Sequence, residues 1–474
     1  MSSRLLMVPV LLLVVALAAA AAFGAEATVA YTGPELTAGG PEGIADVVPL
    51  TLSLEKAIEI AITYNPGVAA SGEDIIASTA LVMQATSRLM PRLDVEAART
   101  TPVDLPPFSF QSPDSTWETN ISFSQPLYAG GSLRAGVKAA RDFLRGSEGA
   151  HRRTGQETAF AVRRGYYAVL AGEEQVNVAK QVVDSALETL RVAKLRYEAG
   201  VAPQFDVLSA EARGARVEQG LITAEVLRDT AWAVLSTTLG VPIPAGTQLT
   251  TPRPVEVAEE DPVALRAEAL ANRPDLLAAE ASAAAARGML AVAKAGRLPT
   301  VGAAAGYSLR EQTTVSGDVF GDPGTEIIVS QNSGYLALTA SWSLFNGGQV
   351  AGEIGEAEAR LRQAQDAVVG LQQQVELDTR SAYLAVAAAK AQVAAAHKEV
   401  DQQQEAYRIA TIRYQEGVGT SVEILGAEAD LGDAKTRLNG AIFDLNLAIA
   451  ELDLAVGRDQ PLSTPTSSAE GAGE

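Results

Sequence analysis

RYEAGVAPQFDVLSAEA, residues 196–212, returns as RYQEGVGTSVEILGAEA, residues 413–429. In each copy an Arg-Tyr helix end runs into a glycine, Gly200 or Gly417, that can take positive φ and close the helix. A new amphipathic run begins within a few residues, so each stretch reads as the tip of a helical hairpin. The offset of 217 residues, from Arg196 to Arg413, holds without a gap from Gly130/Gly347 through Tyr166/Tyr383 to Gly240/Gly457. Such a long match is a tandem duplication of half the chain, with a period far beyond those of solenoid repeats.

Upstream the offset changes. Pro66 matches Pro274 and Pro91 matches Pro299, both 208 residues apart, so the second copy has gained nine residues between Pro299 and Gly347. Insertions are tolerated best at exposed loop tips, which places the extra residues in a surface loop between Arg310 and Gly334.

Composition narrows the class. In 474 residues aromatics make up only 5%, which with abundant alanine suits long thin helices and an elongated shape better than one thick core. Residues 1–27 read as a signal peptide: Arg4, an apolar run from Leu5 to Ala22, and small residues at Ala25 and Ala27. With no cysteine there is no disulfide framework, thiolate metal site or acylated cysteine. Beyond the leader no uninterrupted apolar run approaches the roughly 20 residues of a spanning helix, so only a β-barrel could cross a membrane. A net charge of −20 argues against nucleic acid as a partner, which would want a basic face. The two histidines, His151 and His397, read as solvated helix residues, and no motif for catalysis, metal binding or a cofactor appears.

Along the chain a short helix is expected over Thr51 to Tyr64, capped by Ser53, and a second from Pro66 to about Met90. Their copies span about 261–272 and 274–297. The period then changes from helical to alternating, which marks strands at about 92–101, 116–127, 300–310 and 334–345. Trp117, Thr119, Ile121 and Phe123, for example, alternate with Glu118, Asn120, Ser122 and Ser124. Each run has the length that a tilted strand needs to cross a bilayer, although a half-buried soluble sheet has the same pattern.

From Gly131 to Gly200, and again from Gly348 to Gly417, no proline interrupts the chain, enough for helices of about 100 Å. Apolar residues recur at sevens in both, as in Val176, Val183, Leu190 and Tyr197, or Val375, Ala382, Ala389 and Ala396, which are coiled-coil seams. The helical hairpins therefore cover 132–239 and 349–456, within repeats at 28–257 and 258–459. The proline-rich stretch from Val241 to Glu260 has no helical period and reads as an interruption between them. Residues 460–474, rich in Ser, Thr and Gly, read as a disordered tail.

These features together resemble the TolC-like outer-membrane efflux proteins over nearly the whole mature chain. The residues that carry the resemblance are the twofold repeat, SQPLYAGGS and SWSLFNGGQ where a strand returns into a long helix, the prolines before the strands, and the tips with Gly200-Val201 and Gly417-Val418. The resemblance implies a mainly α fold in which the repeated hairpins of a homotrimer form an α-barrel, while four strands per protomer contribute to a 12-stranded transmembrane β-barrel. It implies an outer-membrane exit duct projecting into the periplasm, for efflux or type I secretion, joined by a periplasmic adaptor to an inner-membrane pump or ABC transporter. Trp117, Ile121, Phe123, Leu338 and Trp342 would then face outer-membrane lipid, and Gly200, Val201, Gly417 and Val418 would meet the adaptor.

By the same resemblance the duct is gated at its periplasmic end by Asp206, Tyr414 and Glu423. Tyr414 would bond near Asp206, and three copies of Glu423 would form an acidic ring that attracts cations. Capping or solvation of a new helix is the plainer role for both acids. The family's basic lock residue falls at Gly419 and its second ring acid at Gly426, so the closed state would be held differently here. The competing reading is a structural coiled-coil protein of the periplasm or cell surface, which would have no need of an apolar strand face repeated in both halves.

Overall fold

The computed structural model describes residues 47–101, 115–251, 261–315 and 326–458. The expected leader, the tail 460–474 and residues 316–325 of the expected loop lie outside the described residues. The described chain divides into two compact units. One holds residues 76–101, 115–145, 280–315 and 326–366, and the other holds 47–75, 146–251, 261–279 and 367–458.

The first unit is built on a four-stranded antiparallel sheet. Its strands are β2 (Arg92–Thr100), β3 (Ser115–Ala129), β5 (Thr300–Val315) and β6 (Glu326–Ser341), in the order β2-β3-β5-β6. Among the described residues, the extra length of the second copy falls in its strands and in the connection from β6 to Gly347. β5 is 16 residues long against 9 in β2, β6 is 16 against 15 in β3, and residues 342–346 separate β6 from Gly347, whereas β3 runs up to Gly130. The segment between β5 and β6 is itself shorter than that between β2 and β3. Alternation reveals only the apolar part of a strand, while pairing continues through polar partners such as Arg310↔Gln331 and Glu311↔Ser330.

The last strand is therefore 326–341 and not 334–345. Pairing stops at Thr300↔Ser341 because Pro299 precedes β5 and has no N–H to extend the ladder. Trp342 falls just beyond the strand, where its indole N–H donates to the Arg297 carbonyl at 3.1 Å.

The second unit is helical. α1 (Leu54–Tyr64) is capped by Ser53, whose hydroxyl accepts from the Lys56 N–H. α2 (Pro66–Ser87) starts at a proline, with Asn65 Oδ1 accepting from Gly67 N at 2.8 Å, and runs on into the first unit. The long α3 (Ser132–Glu198) and α4 (Gln204–Leu239) form the first hairpin. α5 (Pro262–Asn272), α6 (Pro274–Ala295), α7 (Gln349–Gln415) and α8 (Ser421–Val456) repeat the plan, with Asp261 capping α5. Among the described residues α6 alone has the length and apolarity to cross a membrane; its apolarity comes largely from alanine.

Heptad seams are realised where alanine lets helices approach: Val375, Ala382, Ala389 and Ala396 on α7, and Ala434, Ala441, Ala448 and Ala455 on α8, are buried. The expected seam on α3 is buried at Val176, but burial then passes to Ala186 and Ala193, and Tyr197 is exposed.

Two apolar cores sit where short and long helices meet. In the first, Leu52, Ile58 and Ala61 pack against Val162, Tyr166 and Val169 of α3 and Leu235 and Leu239 of α4. Within it the interruption expected after Val241 contains a two-residue strand, β4 (Gln248–Leu249), parallel to β1 (Thr51–Leu52). Tyr166 ties both strands down: its hydroxyl lies 2.8 Å from the Leu52 carbonyl and 2.6 Å from that of Thr250. Burial pushes its pKa up to about 12. α4 ends at Gly240, at φ 75°, where a Cβ would lie 2.5 Å from the Tyr64 carbonyl oxygen, so conformation and space both require glycine.

The second core joins Leu265 to Ala382, Val386, Leu452 and Val456. The end of α8 above it is capped from three sides. Arg153 donates to the Leu454 carbonyl, Gln156 to that of Gly457 and Arg273 to that of Ala455, at 3.3, 3.2 and 3.5 Å. Two cations at a helix C-terminus satisfy orphan carbonyls and complement the helix dipole. Arg273 is buried and also bonds Asp275 at 2.7 Å and Asp378 at 2.9 Å. His151 is not simply solvated: it is half-buried, its Nδ1 lies 2.8 Å from the Ser71 hydroxyl, and burial lowers its pKa.

Candidate functional site

Both hairpin tips close in the same way. The Gly200 N–H donates to the Tyr197 carbonyl and that of Val201 to Arg196, at 2.9 and 3.0 Å; Gly417 and Val418 repeat this with Tyr414 and Arg413 at 3.1 and 3.0 Å. With φ at 73° and 77°, the two glycines complete Schellman-type ends that satisfy the last helical carbonyls. Val201 and Val418, the next residues, stand exposed.

Beyond the turns the copies diverge. Thr420 caps α8 by accepting from the Glu423 N–H at 3.3 Å, whereas Pro203 gives α4 no side-chain cap. Asp206 accepts a hydrogen bond from the Ser421 hydroxyl at 2.8 Å, which links the two hairpins. Arg196 makes a second link: its guanidinium lies 4.7 Å from the centre of the Tyr414 ring and donates to the Tyr414 carbonyl.

Tyr414 is only 3% exposed, and its hydroxyl has no hydrogen-bond partner. The expected bond near Asp206 is therefore absent, because the carboxylate is turned to Ser421. Asp206 acts on Tyr414 only through its charge: burial first, and then Asp206, raise the phenol pKa, against the opposing charge of Arg196.

Glu423 is half-exposed in the first turn of α8, with its carboxylate 3.7 Å from Arg413 Nε. Its N–H is the one that Thr420 caps, its carboxylate carries charge beside the helix N-terminus, and the nearby cation offsets part of that charge. At Gly419 a Cβ would come within 3.0 Å of Arg413 Cβ and Tyr414 N, so a basic side chain there would require local movement. Sequence reasoning missed Arg196 and Ser421 as partners. Arg196 was visible as the first residue of the repeated stretch, but nothing along the chain shows that it crosses to the other hairpin.

The sheet is two-faced. Register places Leu93, Val95 and Ala97 on the same face as Phe123, Ile121 and Thr119, and these with Ala305, Tyr307 and Leu309. Trp117 and, through Ala303, Leu338 share that face, and Leu338 is 72% exposed. The opposite face carries Asp94, Glu96, Glu118, Asn120, Ser122, Ser308, Thr339 and Ser341, with Gly302, Ala304 and Gly306 between them. The Tyr335 ring lies over Gly306 in the space that any Cβ would occupy. The outer edges of β2 and β6 pair with nothing among the described residues.

Comparison with known proteins agrees with this architecture. The model of the outer membrane efflux protein family matches residues 57–241 and 265–458, one segment in each repeat. The chain is 26% identical over 379 residues to the pyoverdine export outer membrane protein OpmQ of Pseudomonas aeruginosa, covering 76% of this chain and 77% of that one. It is 27% identical over 401 residues to the toluene efflux pump outer membrane protein TtgF of Pseudomonas putida, covering 80% and 77%. Among solved structures, the outer membrane protein VceC of Vibrio cholerae superposes with a TM-score of 0.70 at 21% identity, over 85% of this chain and 96% of that one. CusC superposes with a TM-score of 0.72 at 18% identity, over 85% and 92%. The chain belongs to the outer membrane efflux protein family and serves as an exit duct in the outer membrane.

Proposed function

We propose that three copies of this chain form one duct, each giving its four strands to a 12-stranded barrel and its hairpins to a helical conduit in the periplasm. The observation that carries this is the two-faced sheet with unpaired outer edges. In hydrocarbon each unsatisfied backbone group costs several kcal/mol, so a spanning sheet must close on itself, and four strands are too few. Copies joined edge to edge satisfy both edges. Trp117, Ile121, Phe123 and Leu338 then meet lipid, with Trp342 at the boundary, while the polar face with its small residues lines the passage.

In this reading the tips are the gate and the docking end. Val201 and Val418 are exposed beside Gly200 and Gly417, as contacts for a periplasmic adaptor should be, and an inner-membrane pump or ABC transporter would act through that adaptor. Closure rests on Asp206–Ser421 and on Arg196 against Tyr414, and Glu423 adds negative charge at the entrance.

Detergent-extracted protein should run as a heat-modifiable trimer and conduct ions in planar bilayers. Asp206→Ala should raise single-channel conductance, because it removes the interhairpin acceptor. Tyr414→Phe should leave conductance unchanged, because its hydroxyl bonds nothing. Glu423→Gln should reduce cation selectivity. A protein that is monomeric in membranes would overturn the assembly, and an Asp206→Ala duct that conducts like the parent would place the closing contact elsewhere.

A further inference from the structure

Two helical turns above the tip link lies a buried acid that the gate does not use. Glu428 on α8 is seven residues beyond Ser421, in a seam position, and only 3% exposed. Thr189 of α3 donates to its Oε2 at 3.4 Å. Arg213 of α4, seven residues beyond Asp206, brings Nε to 3.9 Å from Oε1, too far for a hydrogen bond, and both of these atoms are buried without a partner. The carboxylate is thus buried and incompletely bonded, with a cation that is itself 17% exposed, an arrangement that disfavours the ionised form.

The duplication shows what is unusual here. Glu428 is the counterpart of Glu211, which is half-exposed and paired with Lys194 at 3.1 Å. The counterpart of Lys194 is Thr411, so the second hairpin has the same acid, buried, with a threonine where the first has a lysine. On the other hairpin Lys194 and Glu211 are engaged with each other. The nearby Tyr407 of α7 bonds Ser185 at 2.6 Å. Arg213 is the cation that faces Glu428.

We propose that Glu428 couples closure of the tip to protonation: the packed hairpins accommodate the neutral acid, and the ionised carboxylate drives α8 away from α3 and α4. This rests on the reading of the tips as the gate. Burial raises the Glu428 pKa above its ordinary 4.5, against the opposing influence of Arg213 and the Thr189 hydrogen bond. A state with hairpins parted and Glu428 in water has the ordinary value, so the packed state binds the proton more tightly. Packing is then favoured as pH falls towards 4.5 and disfavoured as pH rises through the raised pKa. Each unit of difference changes the ratio of packed to parted hairpins about tenfold per protomer.

The test is single-channel recording of the full-length trimer in planar bilayers from about pH 8 to about pH 5. The parent's open probability should fall at least about tenfold on acidification. Glu428→Gln, a neutral isostere, should hold the low value throughout, and Glu211→Gln should keep the parent's profile. Arg213→Met, which retains the acid but removes its cation, should move the midpoint to higher pH, and it decides the matter if Glu428→Gln fails to assemble. A parent that conducts with no pH dependence, an unchanged profile in Glu428→Gln, or an unmoved midpoint in Arg213→Met each refutes the coupling and leaves the gate standing. A parent that carries no current at any pH overturns both.

Discussion

The two faces of the sheet can be told apart by placing one charge on adjacent residues of β6. Leu338 pairs with Ala303 on the apolar face, and Thr339 pairs with Gly302 on the other. If the apolar face meets lipid as proposed, arginine at Leu338 puts a guanidinium into hydrocarbon, at a cost of about 2–4 kcal/mol per protomer at the membrane centre. At 1.4 kcal/mol per factor of ten, that shifts the folding equilibrium of each strand set by roughly 30-fold to 1,000-fold. Arginine at Thr339 loses only a hydroxyl bond of 3.2 Å to the Gly302 carbonyl, and it extends over a glycine that offers room. Its cost should stay below about 1 kcal/mol, and conductance should change instead. Urea titration of trimer refolded into lipid vesicles, scored by heat-modifiable mobility, measures the first effect, and bilayer recording measures the second. Equal destabilisation by the two variants would refute the assignment of faces, and greater damage at Thr339 would invert it.

Gly240→Ala should destabilise the helical unit by at least about 1–3 kcal/mol, since it combines a left-handed backbone with a Cβ driven against the Tyr64 carbonyl; an unchanged denaturation midpoint would refute this. Arg273→Met should cost about 3–5 kcal/mol, because Asp275 and Asp378 lose their shared buried cation, and the shift can be read from thermal unfolding. Burial alone would raise the Asp275 pKa, but the Arg273 bonds outweigh it and hold the carboxyl below 3.8. Its stabilisation is thus present above that value and lost as pH falls through the lowered one, so the stability gap between the parent and the Arg273→Met protein should narrow as pH falls below 3.8. Tyr166→Phe should cost about 1–3 kcal/mol by removing the one hydroxyl that reaches the Thr250 and Leu52 carbonyls, of which Leu52 keeps its bond from the Thr250 N–H, with amide exchange accelerated at Gln248 and Thr250.

Helix ends were legible because they are written in local chemistry. Ser53, Pro66, Asp261, Pro274 and the tip glycines each act on the backbone within a turn, and the helices begin and end beside them. Strand ends were not, since Glu311 and Ser330 carry no alternating apolar signal and are paired only because their neighbours are. The β1–β4 pair escaped notice because two residues make no pattern, and Tyr166, its anchor, looks along the chain like any seam aromatic. At the tip the region was readable but the bonds were not. Asp206 and Tyr414 come close, yet which hydroxyl the carboxylate accepts depends on the approach of two hairpins, and Ser421 is the nearer donor. The buried state of Glu428 was likewise hidden, because its counterpart Glu211 has the same neighbours in sequence and a different fate in space.

The capped end of α8 bears on how the chain folds. Arg153 and Gln156 reach carbonyls 301 residues later in the sequence, so the last helix made is finished by one of the first. Loop-closure entropy must be met before such bonds form, and contacts of this separation fold slowly. A fragment holding only the second repeat would leave the Leu454 and Gly457 carbonyls without these donors. The halves, although duplicated, are no longer separate modules, and an exported chain must be kept from aggregating until both are present.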